Sequence, residues 1–174
     1  MAVLTRDKIL EEIKKGNIKI EPFSKDQIGP ASIDLHLGSR FRVFKKESSL
    51  LHVSPQKEIN IEEVTIPVKI KNKNHLLVKP GETILGITKE KIILSCGLCA
   101  WLEGRSRFAR IGLGVHVTSG FIQPGVANHQ IMEITNVGPN QIALYPGTRL
   151  CQVIIERCEG KAKYKGRFKD QKEP

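Results

Sequence analysis

Between positions 64 and 71 the chain reads Val-Thr-Ile-Pro-Val-Lys-Ile-Lys, four aliphatic side chains separated by Thr65, Pro67, Lys69 and Lys71. A two-residue period gathers the aliphatics on one face of a strand, whereas a helix would scatter them around its circumference. Pro67 has no amide hydrogen to offer a neighbour, which marks the strand as an edge. Similar short runs recur at 32–37, 40–44, 75–78, 83–88, 114–118, 129–135, 141–144 and 150–156. Turn pairs punctuate them: Gly29-Pro30, Pro80-Gly81, Pro124-Gly125, Gly138-Pro139 and Pro146-Gly147. The only helix the pattern predicts spans 5–15, with Thr5 as N-cap, an Ile9, Leu10, Ile13 stripe, and Gly16 to end it. The fold class is therefore mostly β, a barrel or sandwich with a short N-terminal helix.

The chain has 174 residues, a formal charge of +10, 40% hydrophobic and 26% charged side chains. These values fit a soluble globular chain of one domain. Residues 1–159 read as that domain, and the Lys-rich stretch 160–174 as a flexible C-terminal lid segment. The longest near-apolar run, 92–102, is about half of the ~20 residues a membrane helix needs. No signal-peptide core precedes it, so a cytoplasmic protein without membrane contact is expected. Cys96, Cys99, Cys151 and Cys158 are too few for a disulfide scaffold, and a lone CxxC is a weak zinc signal; small buried thiols are the simpler reading. The positive charge favours an anionic partner. Nucleic acid is not expected, because the basic residues are scattered, only one Trp, two Tyr and six Phe could stack on bases, and no nucleic-acid motif is present.

Two places carry chemistry. Glu103-Gly-Arg-Ser-Arg-Phe-Ala-Arg110 puts three arginines and a hydroxyl within six residues, forked donors suited to phosphate oxygens; a solvated basic loop is the bland alternative. In His129-Gln-Ile-Met-Glu-Ile134 a strand would give Glu133 the face of Ile131, with Met132 and Ile134 opposite. A carboxylate in apolar company should have a raised pKa, in the range useful to a general base. A solvent-facing Glu133 is the competing reading. The histidines, at 36, 52, 75, 116 and 129, form no metal-binding spacing.

Over 103–133 the chain, EGRSRFARIGLGVHVTSGFIQPGVANHQIME, closely resembles the core of dCTP deaminases, members of the trimeric dUTPase-like superfamily. Gly29-Pro-Ala-Ser-Ile-Asp-Leu-His-Leu-Gly38 and Tyr145-Pro-Gly-Thr-Arg-Leu-Cys-Gln152 extend the likeness to nearly the whole chain. The resemblance implies a distorted β-barrel, a homotrimer with shared active sites, and hydrolytic deamination of dCTP to dUTP and ammonia. It implies Glu133 as general base, taking a proton from the attacking water. Ser106 and the carbonyl near Ser119 would hold that water, and Arg110 would support the site. Arg105, Ser106, Arg107, Phe108, Ala109 and Arg110 would line the triphosphate. Ile131 and Met132 would join Glu133 as substrate contacts, and Tyr164, Arg167 and Gln171 would form the lid. Mg2+ would ride on the triphosphate, with no zinc and no protein cage, and dTTP is a candidate regulator. Zinc-dependent deaminases need HxE and PCxxC, but no HxE occurs here and Ser95 precedes Cys96.

Gln123 stands where the family usually carries an aspartate. That aspartate activates water for dUTP hydrolysis in the dUTPase branch, and a neutral amide is a poor base. A dUTP pyrophosphatase or a bifunctional deaminase–dUTPase is thus the weaker alternative, and a binding module without catalysis is a third. Gln123 is retained as a substrate contact.

Overall fold

Ile9, Leu10 and Ile13 follow helical spacing, and the first helix, α1 (Arg6–Lys14), turns that stripe inward until Gly16 adopts φ +77° and stops it. Thr5 caps with extended backbone, although its hydroxyl bonds the Asp7 carboxylate and no backbone amide. The structure, a computed structural model, describes residues 2–46, 50–55, 60–71, 73–169 and 171–174; Asp170 of the tail lies outside them.

Chain order continues with β1 (Ile18–Glu21), a 3-10 turn (Lys25–Gln27), β2 (Ile33–Phe44), α2 (Ile61–Val64) and β3 (Thr65–Lys69). Next come β4 (Leu76–Val78), β5 (Thr83–Leu94), β6 (Leu98–Gly104), α3 (Ser106–Ala109), β7 (Leu113–Val115) and β8 (Phe121–Ile122). The last are β9 (Ala127–Asn136), β10 (Ile142–Leu144) and β11 (Arg149–Arg157). An antiparallel sheet runs β7-β9-β5-β2-β11-β6-β8, with β1 added to β5 and β3 to β2, and β10 pairs β4 in a separate ribbon. Register shifts at 37/41 in β2, 87/91 in β5 and 149/151 in β11 bend the long strands. Such bulges increase local twist, and the sheet curls into a half-barrel around Ile33, Leu35, Leu37, Phe41, Ile92 and Ile155. No helix of the described residues is long and apolar enough to cross a membrane.

The mostly-β expectation holds, with corrections. The runs at 32–37 and 40–44 are one bent strand, and Val64 ends a helical turn ahead of β3. β3 does lie at an edge, but Ile66 is 52% exposed while Thr65 is buried, hydrogen-bonded to Arg42 and the Ile61 carbonyl. β1, β6 and β8 were not foreseen, and the 114–118 run ends at Val115, because His116 takes φ 69°. All four cysteines are free. Burial and the neighbouring Cys158 thiol push Cys99 up to about 11.

Candidate active site

β9 separates two environments. Met132 and Ile134 are fully buried in the core, while Ile131 and Glu133 face a cavity of about 1170 Å³. The opposite wall is the segment leaving β7. Its register, Gly114 against Thr135 and Val115 against Ile134, continues through the His116 N–H donating to the Glu133 carbonyl at 2.9 Å. That register depends on Gly112, at φ +82°, where a Cβ would stand 2.5 Å from Gly138. The segment then brings Thr118 onto the carboxylate. Its N–H donates to Glu133 Oε2 at 2.8 Å, and its hydroxyl lies 2.9 and 3.1 Å from the two oxygens.

These contacts decide the charge. Partial burial pushes the Glu133 carboxyl up, but the Thr118 hydroxyl and amide, then His116 and the Ser119 hydroxyl, outweigh it and hold it below its ordinary value. The expected raised pKa is therefore corrected: Glu133 shares an apolar face with Ile131, but its polar partners arrive from β7. At neutral pH it is an ionised acceptor, half-buried, with one side open to the cavity. His116 also lines the cavity, and its Nδ1 is buried without a partner among the described residues.

Ser119, Gln123, Ile131, Glu133, Tyr164, Arg167 and Gln171 all line this cavity. The tail reaches it by backbone bonds: the Tyr164 N–H donates to the Pro124 carbonyl at 2.8 Å, and Asn128 Nδ2 to the Phe168 carbonyl at 2.7 Å. Gln171 bonds His129 in both directions, its carbonyl accepting at 3.4 Å and its Nε2 donating at 3.3 Å. The Met132 side chain is buried in the core and does not line the cavity. None of Arg105, Ser106, Arg107, Phe108, Ala109 and Arg110 lines this cavity. They follow β6 and make up the single turn α3 with its two caps, Arg105 and Arg110; Arg107 is stacked over Phe108 at 4.9 Å and Arg110 is exposed. One chain therefore does not bring the arginine segment and Glu133 together.

The family pattern described as dCTP deaminase-like matches residues 3–158. The chain belongs to that family. A relative from Methanosphaera stadtmanae, named "dCTP deaminase, dUMP-forming", is 35% identical over 90% of this chain and 79% of its own length. Another, from Thermomicrobium roseum, named "dCTP deaminase", is 36% identical over 96% and 85%. The crystal structure of 2'-deoxycytidine 5'-triphosphate deaminase from Agrobacterium tumefaciens superimposes with a TM-score of 0.67 at 21% identity. It covers 90% of this chain but 49% of that one, and supports the dCTP deaminase-like fold alone.

Thr118 and His116 are the site residues of this family member that the sequence did not yield. The only local signal was a Thr in the apolar run 114–118, and its partner is set by the β7–β9 register across 15 residues. Gln130, which lines the same cavity and donates to Asn128 Oδ1 at 2.6 Å, was hidden likewise.

Proposed function

We propose that the protein converts dCTP and water to dUTP and ammonia, with Glu133 as general base. The observation that carries this reading is an ionised carboxylate held by Thr118 at the wall of a cavity roomy enough for a nucleotide. Water adds to the ring carbon bearing the amino group as Glu133 takes its proton. That proton passes to the ring nitrogen; the added hydroxyl then gives its remaining proton, by way of Glu133, to the amino group, which leaves as ammonia while the carbonyl forms. The Ser106 hydroxyl and the carbonyl near Ser119 hold the water, and Arg110 supports the developing charge.

Because the 105–110 segment lies away from this chain's own cavity, the reading requires it to serve the cavity of a neighbouring copy, as in a homotrimer with shared sites. Trp101 and Phe121 support assembly: their rings stand 5.0 Å apart at 42% and 39% exposure. The 105–110 arginines would grip the triphosphate, with Mg2+ carried on the phosphates and no zinc at the ring. Tyr164, Arg167 and Gln171 would close over the nucleotide. A dTTP molecule offers the same triphosphate and would compete for that grip.

Gln123 lines the cavity with a neutral amide, which supports release of dUTP without further hydrolysis. Incubation with dCTP and excess Mg2+ after zinc chelation, followed by separation of nucleotides, is the test. Equal amounts of dUTP and ammonia are expected. Products limited to dUMP and pyrophosphate would overturn the role given to Gln123, and no deamination after chelation would overturn the metal-free chemistry.

A further inference from the structure

A second glutamate is buried where the proposed proton transfers do not use it. Glu90, on β5, is 1% exposed. Its Oε2 accepts the His36 backbone N–H at 2.8 Å, while Oε1 accepts Gln27 Nε2 at 3.1 Å and faces His36 Nδ1 at 2.5 Å. The other ring nitrogen, Nε2, lies 3.3 Å from Arg149 Nε. A guanidinium can only donate, so Nε2 is the acceptor there and Nδ1–H points at Glu90. This is a neutral imidazole with both nitrogens committed.

The placement follows from the strands. Asp34 and His36 share the face of β2 opposite buried Ile33, Leu35 and Leu37. The 149/151 bulge in β11 sets Arg149, not Leu150, against His36. Arg149 also donates to the Asp26 carbonyl at 3.1 Å and bonds the Asp26 carboxylate. Its own carbonyl accepts Arg105 Nη1 at 3.1 Å, and Arg105 Nη2 lies 3.3 Å from Asp34 Oδ2. Arg105 is 27% exposed at its side chain and keeps further N–H groups for a ligand.

We propose that His36, clamped between Glu90 and Arg149, is a positioning residue that sets Arg105 for the phosphate end of the nucleotide. The proposal rests on the reading of 105–110 as the triphosphate grip. Among the described residues, the charged and titratable groups around His36 are Glu90 from β5, Arg149 and Cys151 from β11, Asp26 from the 3-10 turn, Asp34 from β2 and Arg105 just after β6. Of these, Arg149 is the one bonded to Nε2. Without that acceptor the Arg149 side chain is released, and the start of β11, whose Arg149 carbonyl holds Arg105, loosens. Substrate affinity then falls, while the chemistry at Glu133 continues.

The test measures KM and kcat for dCTP with saturating Mg2+. His36→Phe should raise KM about ten-fold, the size of one lost hydrogen bond to a charged group, with kcat within about two-fold. His36→Gln can donate to Glu90 and accept from Arg149, so it should restore the wild-type KM. Arg149→Leu should reproduce the His36→Phe pattern and stands in should that variant fail to fold. A His36→Gln KM as high as that of His36→Phe would overturn the proposal. So would an unchanged KM in Arg149→Leu while Arg105→Ala raises it. Failure of Arg105→Ala itself to raise KM would instead remove the triphosphate reading on which the proposal stands.

Discussion

Glu90 on β5 and Glu133 on β9 occupy neighbouring strands of one sheet, and their surroundings separate two uses of a carboxylate. Both oxygens of Glu90 are taken by donors from the same subunit, His36 and Gln27, with solvent excluded. Glu133 takes hydrogen bonds from the Thr118 amide and hydroxyl, has His116 and the Ser119 hydroxyl beside it, and keeps one side facing the cavity. The deeper carboxylate fixes other side chains. The shallower one keeps acceptor capacity facing open space, which a base that must meet water requires. Depth of burial alone would have ranked them the other way.

That contrast can be broken by substitution. Glu133→Gln should lower ammonia release from dCTP by at least about 10²–10⁴-fold, read in a coupled ammonia assay. Nucleotide binding, followed by equilibrium titration, should survive, and urea unfolding should shift by less than about 1 kcal/mol. Glu90→Ala should act on the fold instead, because it strands buried donors of His36 and Gln27. A loss of about 3–5 kcal/mol in urea unfolding is expected, and a loss below that of Glu133→Gln would erase the distinction.

The subtlest effect is on pH dependence. The folded carboxyl of Glu133 lies below its ordinary value, so the stability it contributes is present above the ordinary carboxylate range. It is lost as pH falls through the lowered value. Thr118→Val removes the hydroxyl donor and lets the carboxyl rise. The acid limb of kcat/KM should move to higher pH, and a limb that stayed in place or moved down would show that Glu133 is not the base.

Much of this was legible in the chain because alternation survives burial on one face. The runs at 129–135 and 150–156 locate β9 and β11, and the parity of residues 131–134 correctly divides Glu133 from Met132 and Ile134. β6 was missed because Leu98, Cys99 and Ala100 are all buried, which erases the two-residue signal. β1 and β8 are four and two residues long, too short to show a period. The lowered Glu133 carboxyl was beyond sequence reading, since Thr118 reaches it only through the β7–β9 register.

The crossing of Gly112 over Gly138 has a consequence beyond packing. With 2.5 Å between a Cβ at 112 and the opposing backbone, even a methyl group would wedge the two loops apart. The wall carrying Thr118 begins one residue later, so the displacement would travel along it as a change of aim. Such a lesion would silence the enzyme at a distance while leaving most of the sheet standing, and random mutagenesis should recover inactive yet folded molecules there.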